Sequence, residues 1–480
     1  MQSRPTTAEA TAALPERTRP PRRQPPRDKA PAPLDPRRDA RLLWTARGAG
    51  LVGFLLMVLL GGKLAAPIGQ VPPTSWFRLL GAFDSRAARG AAGVGLITGL
   101  VLAAWAFLTL LRLAAAGRVG VRGVGLTVGV WAVPLLLGPP LMSLDVHSYV
   151  AQGEMSRIGL DPYRVGPEFM RGEFYDPVDP RWRAAHAPYG PLALLLSKAA
   201  VVFSGHSPVG SVLLLRLVAV VAVALAAVLA LRLSADPAVT LTLVAGCPLV
   251  LVTLVSAAHH EALVSALVIG ALVAQQARRP ALAVALAAAA LADKLPGAVA
   301  LGALGVLHLV EATGLGARLR VLLRDGLAVL AVWGPLALLV PNPLGWVKAL
   351  STPGLGHTAY APVSLVALVT MVPESLVRAA GEALSVLIVG RLLVTVRRRP
   401  LTATVGWGLL AVGLLGPVLY PWYLTPAAIV LATLDGRGAR WVSTASGAWG
   451  LLVALPLVEA VVRRVGGPTA LASPVGRRSD

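Results

Sequence analysis

Only one cysteine, Cys247, occurs in the 480 residues, and it lies inside an apolar run. That excludes a disulfide framework within the chain and any cysteine-held metal site. Charged residues make up only 14% of the chain, where a water-facing surface calls for about 25%. Aromatic residues are few, at 5%. Acidic residues are fewer still relative to basic ones, 23 Asp and Glu against 44 Lys and Arg, for a net charge of +21. Such an excess would suit nucleic acid if it were gathered on one face. The arginines instead stand in the N-terminal tail and in short stretches between apolar runs, as the positive-inside rule produces, so nucleic acid is not a partner. The internal repeats common in transporters are also missing.

What the chain does have is apolar length. Hydrophobic residues make up 56%, in recurring runs of about 20 residues, each long enough to cross a hydrocarbon core. The fold class is therefore an all-α polytopic membrane protein, multi-pass and surrounded by membrane lipid. Residues 1–47, rich in Pro, Arg and Ala, cannot bury a core and are expected to form a disordered, basic cytoplasmic tail. No small-residue cleavage pattern follows the first apolar run, which therefore reads as an anchor. Residues 48–465 form the transmembrane domain, with a large outward loop at 145–190 after the third span, and 466–480 a flexible C-terminal tail. Following the arginines from loop to loop gives about thirteen spans, several of them short. The segment 192–203 either lies at the surface as a short helix or crosses, with Cys247-Pro248 then breaking the segment 239–257.

The longest polar interval opens at Ser143-Leu144-Asp145-Val146-His147-Ser148-Tyr149. Asp145 is the first carboxylate after Asp84. At the rim of a bilayer it loses hydration, which raises its pKa and its basicity, and such an acid is a candidate functional group. An acid there can also simply terminate a helix. Its company favours function, because the arginine pattern brings five separated groups to one face. They are Asp145 with His147; His259-His260-Glu261; Asp293-Lys294; His357 with Tyr360; and Tyr420 through Tyr423. Aromatic rings of the interval, Tyr149, Tyr163 and Tyr189 among them, suit both a membrane interface and the faces of sugar rings. His259, His260 and Glu261 are adjacent on the chain, so they cannot converge on one ion from a helix. No metal is expected.

Asp145-Val146-His147-Ser148-Tyr149 with Gly159-Leu160-Asp161-Pro162-Tyr163, followed by Ala187-Pro188-Tyr189-Gly190-Pro191-Leu192, resembles the polyprenol-phosphomannose-dependent α-1,6-mannosyltransferases. That family builds the mannan core of actinobacterial lipomannan and lipoarabinomannan. Ala258 to Leu263, Asp293-Lys294-Leu295-Pro296 and Tyr420-Pro421-Trp422-Tyr423 are similar to further segments of the family, in the same order along about 42–462. Two departures stand out: His260-Glu261 replaces Asn-Asp, and His147 stands where tyrosine is common.

The resemblance implies a GT-C-like helical bundle in the plasma membrane, with its active site on the extracytoplasmic face. It implies polyprenyl-phosphate mannose as donor and a mannan or phosphatidylinositol-mannoside as acceptor, with no cofactor and with Asp145 as catalytic base. The chemistry agrees, since a sugar on a phosphate leaving group needs mainly a base for the acceptor hydroxyl. Attack opposite the phosphate would invert a β-linked donor to an α-linked product. Candidate substrate-binding residues are His147, Tyr149, Tyr163, Arg183, Tyr189, His259, Glu261, Lys294, His357, Tyr360, Trp422 and Tyr423. Lys294, Arg181 and Arg183 are the candidates for the donor phosphate. A polyprenyl-phosphate arabinose donor, or a lipid or sugar transporter, remains an alternative at this point.

Overall fold

The computed structural model describes residues 35–64, 86–352 and 361–434, with a few positions between 438 and 445; for 61–64 and 86–93 only the helical backbone is described. Among the described residues the chain is helical throughout. Proline, which lacks a backbone N–H to leave unsatisfied, opens helix after helix. It starts α5 (Pro191–Phe203), α6 (Pro208–Ala230), α7 (Pro237–Ala245), α9 (Pro280–Asp293) and α12 (Pro362–Thr370). The others are α1 (Pro36–Leu64), α2 (Arg86–Ala115), α3 (Val121–Leu137), α4 (Asp145–Arg157), α8 (Glu261–Gln276), α10 (Gly297–Glu311), α11 (Leu315–Leu339), α13 (Glu374–Val394), α14 (Leu401–Leu415) and α15 (Thr425–Leu431).

Among the described residues four helices are long and apolar enough to cross a membrane: 36–60, 94–115, 208–233 and 315–339. A fifth crossing results if α7 and the π-helical turn Val250–Ser256, bent by 59° at their junction, count as one span. Seven further apolar helices have only 10–17 residues, so helix length among the described residues supports four or five of the roughly thirteen crossings expected. At 1.5 Å per residue, α5 with its 13 residues spans only about 20 Å. The segment 239–257 is broken beside Cys247-Pro248, between Ala245 and Val250. The pyrrolidine of Pro248 cannot continue the hydrogen-bond ladder.

Residues 36–47, expected to belong to a disordered tail, form the first turns of α1. These turns are tied to the bundle. Asp39 pairs with Arg118 at 2.8 Å, and the buried Arg47 donates to Thr127 Oγ1 at 3.1–3.2 Å. The tail 466–480, most of the segment 441–462, His357 and Tyr360 lie outside the described residues.

The main core is built from α1–α3 and α6–α10 with α14 and α15, largely of Ala, Val and Leu, and its largest wholly buried ring is Trp131. Arg216 of α6, 2% exposed, reaches into the layer below the long polar interval. Its guanidinium donates to Ser256 O at 2.8 and 3.1 Å, to Gly138 O at 2.8 Å and to Leu136 O at 3.1 Å. It thereby joins the carboxyl ends of α3 and of the π-helical turn, where backbone carbonyls are left over and a cation is favoured.

Candidate active site

Two left-handed residues turn the chain from those joined ends into the site. They are Met142, with φ 62°, and Ala258, with φ 55°. Such a backbone is costly for side chains bearing Cβ and persists only where the surroundings enforce it. Ser256 supplies part of that enforcement, its Oγ accepting from Leu141 N at 3.2 Å and donating to Pro139 O at 3.3 Å. Asp145 then opens α4, and His259 stands just ahead of α8.

The two side chains meet, with Asp145 Oδ2 3.8 Å from His259 Nδ1. The other oxygen, Oδ1, accepts from Trp182 Nε1 at 3.1 Å. His259 Nδ1 shares a hydrogen bond, 3.1 Å long, with the Tyr149 hydroxyl. Its ring stacks on Trp422 at 4.0 Å and 17°, and Trp422 stacks in turn on Tyr420 at 4.9 Å and 1°. Trp182 meets Tyr420 edge-on at 6.4 Å. The carboxylate is thus bracketed from both sides by one aromatic assembly. Burial pushes its pKa up to about 6, against the lowering influence of Lys294 and Arg181.

A small cleft, open to solvent, starts at this carboxylate. Ser148, Gln152, Trp182, His186, Tyr189, Thr352, Tyr420 and Tyr423 contribute to its walls. Tyr189 is brought there by the Ala-Pro-Tyr-Gly-Pro turn, whose Gly190 N donates to Asp293 O at 3.0 Å. A Cβ on Gly190 would lie 2.1 Å from the carbonyl oxygen of Ala292, so only glycine permits this approach. Lys294 follows in the chain. It pairs with Glu261 at 2.5 Å, and its ammonium lies 4.7 Å from the Tyr423 ring and 5.3 Å from the Tyr189 ring. Beside it His260 Nδ1 meets Asp293 Oδ1 at 3.1 Å. The triplet His259-His260-Glu261 therefore points in three directions, to Asp145, Asp293 and Lys294. Among the described residues no three of His, Cys, Asp and Glu gather as a metal-holding set.

Several residues expected at the site are placed elsewhere. His147 lies two positions from Asp145, and on a helix that is nearly the opposite face. It sits near Arg216, and burial lowers its pKa to about 4. Tyr163 packs into a separate cluster with Ala187, Leu194, Val340 and Trp346. Arg183 donates to Val178 O and Asp176 O and stacks over Tyr175. Arg181 holds Asp179 at 2.7 Å. These two arginines shape the turn that presents Trp182. His259, 0% exposed, and Trp422, 7% exposed, do not line the cleft. They support Asp145 from behind. Ser148 and Gln152 were missed by sequence reasoning, and Trp182 was legible only as one aromatic ring of the interval. The signal for the first two was available: positions 145, 148 and 152 share one face once α4 is known to start at Asp145.

Residues 47–310 match the family model described as Alpha-(1->6)-mannopyranosyltransferase, N-terminal domain, and 352–466 match MptB C-terminal domain. The chain belongs to this mannopyranosyltransferase family. Among its relatives, the probable alpha-(1->6)-mannopyranosyltransferase of Mycolicibacterium smegmatis is 32% identical across 92% of this chain and 85% of its own. Alpha-(1->6)-mannopyranosyltransferase A of Mycobacterium tuberculosis is 29% identical across 75% of this chain and 74% of its own. No solved structure matches the chain. The first family match contains α4, the cleft turn and the Asp293-Lys294 pair, and the second contains Tyr420 to Tyr423. The cleft is therefore lined from both matched regions.

Proposed function

We propose that this cleft transfers mannose from polyprenyl-phosphate mannose to a hydroxyl of an α-1,6-mannan or phosphatidylinositol-mannoside acceptor, with inversion, on the extracytoplasmic face of the plasma membrane. In this reading one Asp145 oxygen takes the proton from the acceptor hydroxyl. The hydroxyl oxygen bonds to the anomeric carbon, and the bond from that carbon to the phosphate oxygen breaks. Polyprenyl phosphate leaves with the bonding electrons. The donor ester already carries a competent leaving group, so the reaction calls on no cofactor and no metal.

The observation that carries the reading is the setting of Asp145, a carboxylate with a raised pKa at the head of an aromatic-walled cleft. Trp182 and His259 hold it in place. A base works best with a pKa near the working pH, and burial moves Asp145 in that direction. Lys294, flanked by two cleft tyrosines, is the cation for the leaving phosphate. Arg183 has no such position.

The test is mannose transfer to a short α-1,6-mannoside in membranes with matched expression. Asp145→Asn is expected to lower turnover by about a hundredfold or more while donor binding persists. Near-normal transfer by that variant would remove Asp145 as the base. Transfer of arabinose in preference to mannose would reassign the donor.

A further inference from the structure

One face of α4 presents three polar side chains to the cleft, Asp145, Ser148 and Gln152. Asp145 Oδ1 accepts from Trp182 Nε1, but the side chains of the other two are unengaged. Ser148 is 4% exposed and Gln152 5%. The Ser148 hydroxyl is buried without a hydrogen-bond partner, and no side-chain hydrogen bond of Gln152 occurs among the described residues. Helical serines commonly return their hydroxyl to the carbonyl four residues back, as Ser156 and Ser265 do here. Ser148 does not. Buried polar groups are normally paired, so the unpaired Ser148 hydroxyl, with the unengaged Gln152 amide beside it on the cleft wall, calls for a ligand.

The chemistry of the pair selects that ligand. A hydroxyl and a carboxamide are neutral and both donate and accept, so they match a neutral polyol better than a phosphate or a carboxylate. Trp182 and Tyr420 also line this cleft. Each combines an apolar ring face with a polar tip, as the two sides of a sugar ring require. Helical rise places Ser148 about 4.5 Å and Gln152 about 10 Å from Asp145 along the axis. A ring lying along this face therefore has one hydroxyl at the carboxylate and others at the serine and the amide.

We propose that Ser148 and Gln152 form a hexopyranose subsite that hydrogen-bonds the ring hydroxyls of the sugar lying against Asp145. The proposal rests on the reading of Asp145 as the group that deprotonates a sugar hydroxyl. The sugar is either the mannosyl group of the donor or the terminal mannose of the acceptor, and kinetics separates the two.

In the purified full chain, Gln152→Leu and Ser148→Ala are expected to raise one KM by about three- to tenfold, the size of a lost neutral hydrogen bond. A rise confined to the mannoside acceptor assigns the acceptor sugar, and one confined to polyprenyl-phosphate mannose assigns the donor sugar. Monodeoxy analogues of that sugar should bind more weakly to the wild type and lose nothing further with Gln152→Leu. Unchanged KM values for both substrates, with melting unchanged, would overturn the subsite. If a variant does not fold, the deoxy series on the wild type decides, and indifference to every ring hydroxyl would overturn it equally. If the wild type transfers nothing from polyprenyl-phosphate mannose, the donor reading fails on its own. Saturation-transfer NMR with methyl α-D-mannopyranoside then tests the subsite, and equal signals from wild type and Gln152→Leu would reject it.

Discussion

Asp145 keeps its two oxygens in different company, and its pH response should report both. With a pKa near 6, it is protonated and idle as a base below that pH. The acid limb of kcat/KM should therefore fall as pH drops through about 6. The charged and titratable groups around it are Lys294, Arg181, Asp179, Glu261, His259, Tyr149, Tyr189, Tyr420 and Tyr423. Trp182 Nε1 donates to the anion, and a hydrogen bond to the charged form lowers a pKa. Trp182→Phe should move the midpoint upward, and a pH profile identical to wild type would show that this bond does not tune the base. At Lys294 two effects must be separated. Glu261 is 1% exposed, so Lys294→Ala strands a buried charge at about 3–5 kcal/mol of stability. The double variant Lys294→Ala/Glu261→Gln should recover melting temperature without recovering donor KM. Recovery of both would leave Lys294 with a structural role alone.

At the scale of elements, the site depends on close backbone approaches that two glycines permit. Gly153 of α4 faces Ser197 O of α5, where a Cβ would lie at 2.4 Å, and Gly190 faces Ala292 O of α9 at 2.1 Å. Both contacts are to backbone atoms, which cannot swing aside. Gly190→Ala and Gly153→Ala are each expected to cost about 1–3 kcal/mol through overpacking. Gly190→Ala should also reduce turnover, because Tyr189 and the Asp293-Lys294 corner shift with it. Thermal melting in detergent, alongside transfer rates, checks this. Wild-type melting for Gly190→Ala would mean that the approach is looser than the distance implies.

For the whole molecule, the arrangement of basic residues makes a prediction about sides. The turn at Arg278-Arg279 is expected inside and the cleft interval outside. Arg278 and Arg171 are exposed, and the native thiol of Cys247 is 3% exposed, which keeps background labelling low. A membrane-impermeant maleimide should label Arg171→Cys in intact cells and Arg278→Cys only after permeabilisation. The reverse pattern would place the cleft in the cytoplasm and exclude an extracytoplasmic reaction.

Helical class, membrane-crossing length and the residues gathered around Asp145 were legible in the sequence, because hydropathy, proline and loop charge are local properties. Orientation was not legible. The chain pattern could not tell that Asp145 begins a helix, which turns His147 away and brings Ser148 and Gln152 to the cleft. Nor could it tell that Arg181 and Arg183 are occupied within their own turn. Pairings across long separations were equally hidden. Arg216 with Leu136, Gly138 and Ser256, Trp182 with Asp145, and Trp422 with His259 join residues whose partners lie on other elements. The sequence alone determined which groups were available. Tertiary packing decided which of them face the cleft and which support it from behind, because a buried polar side chain must take whatever partner the neighbouring helices bring to it.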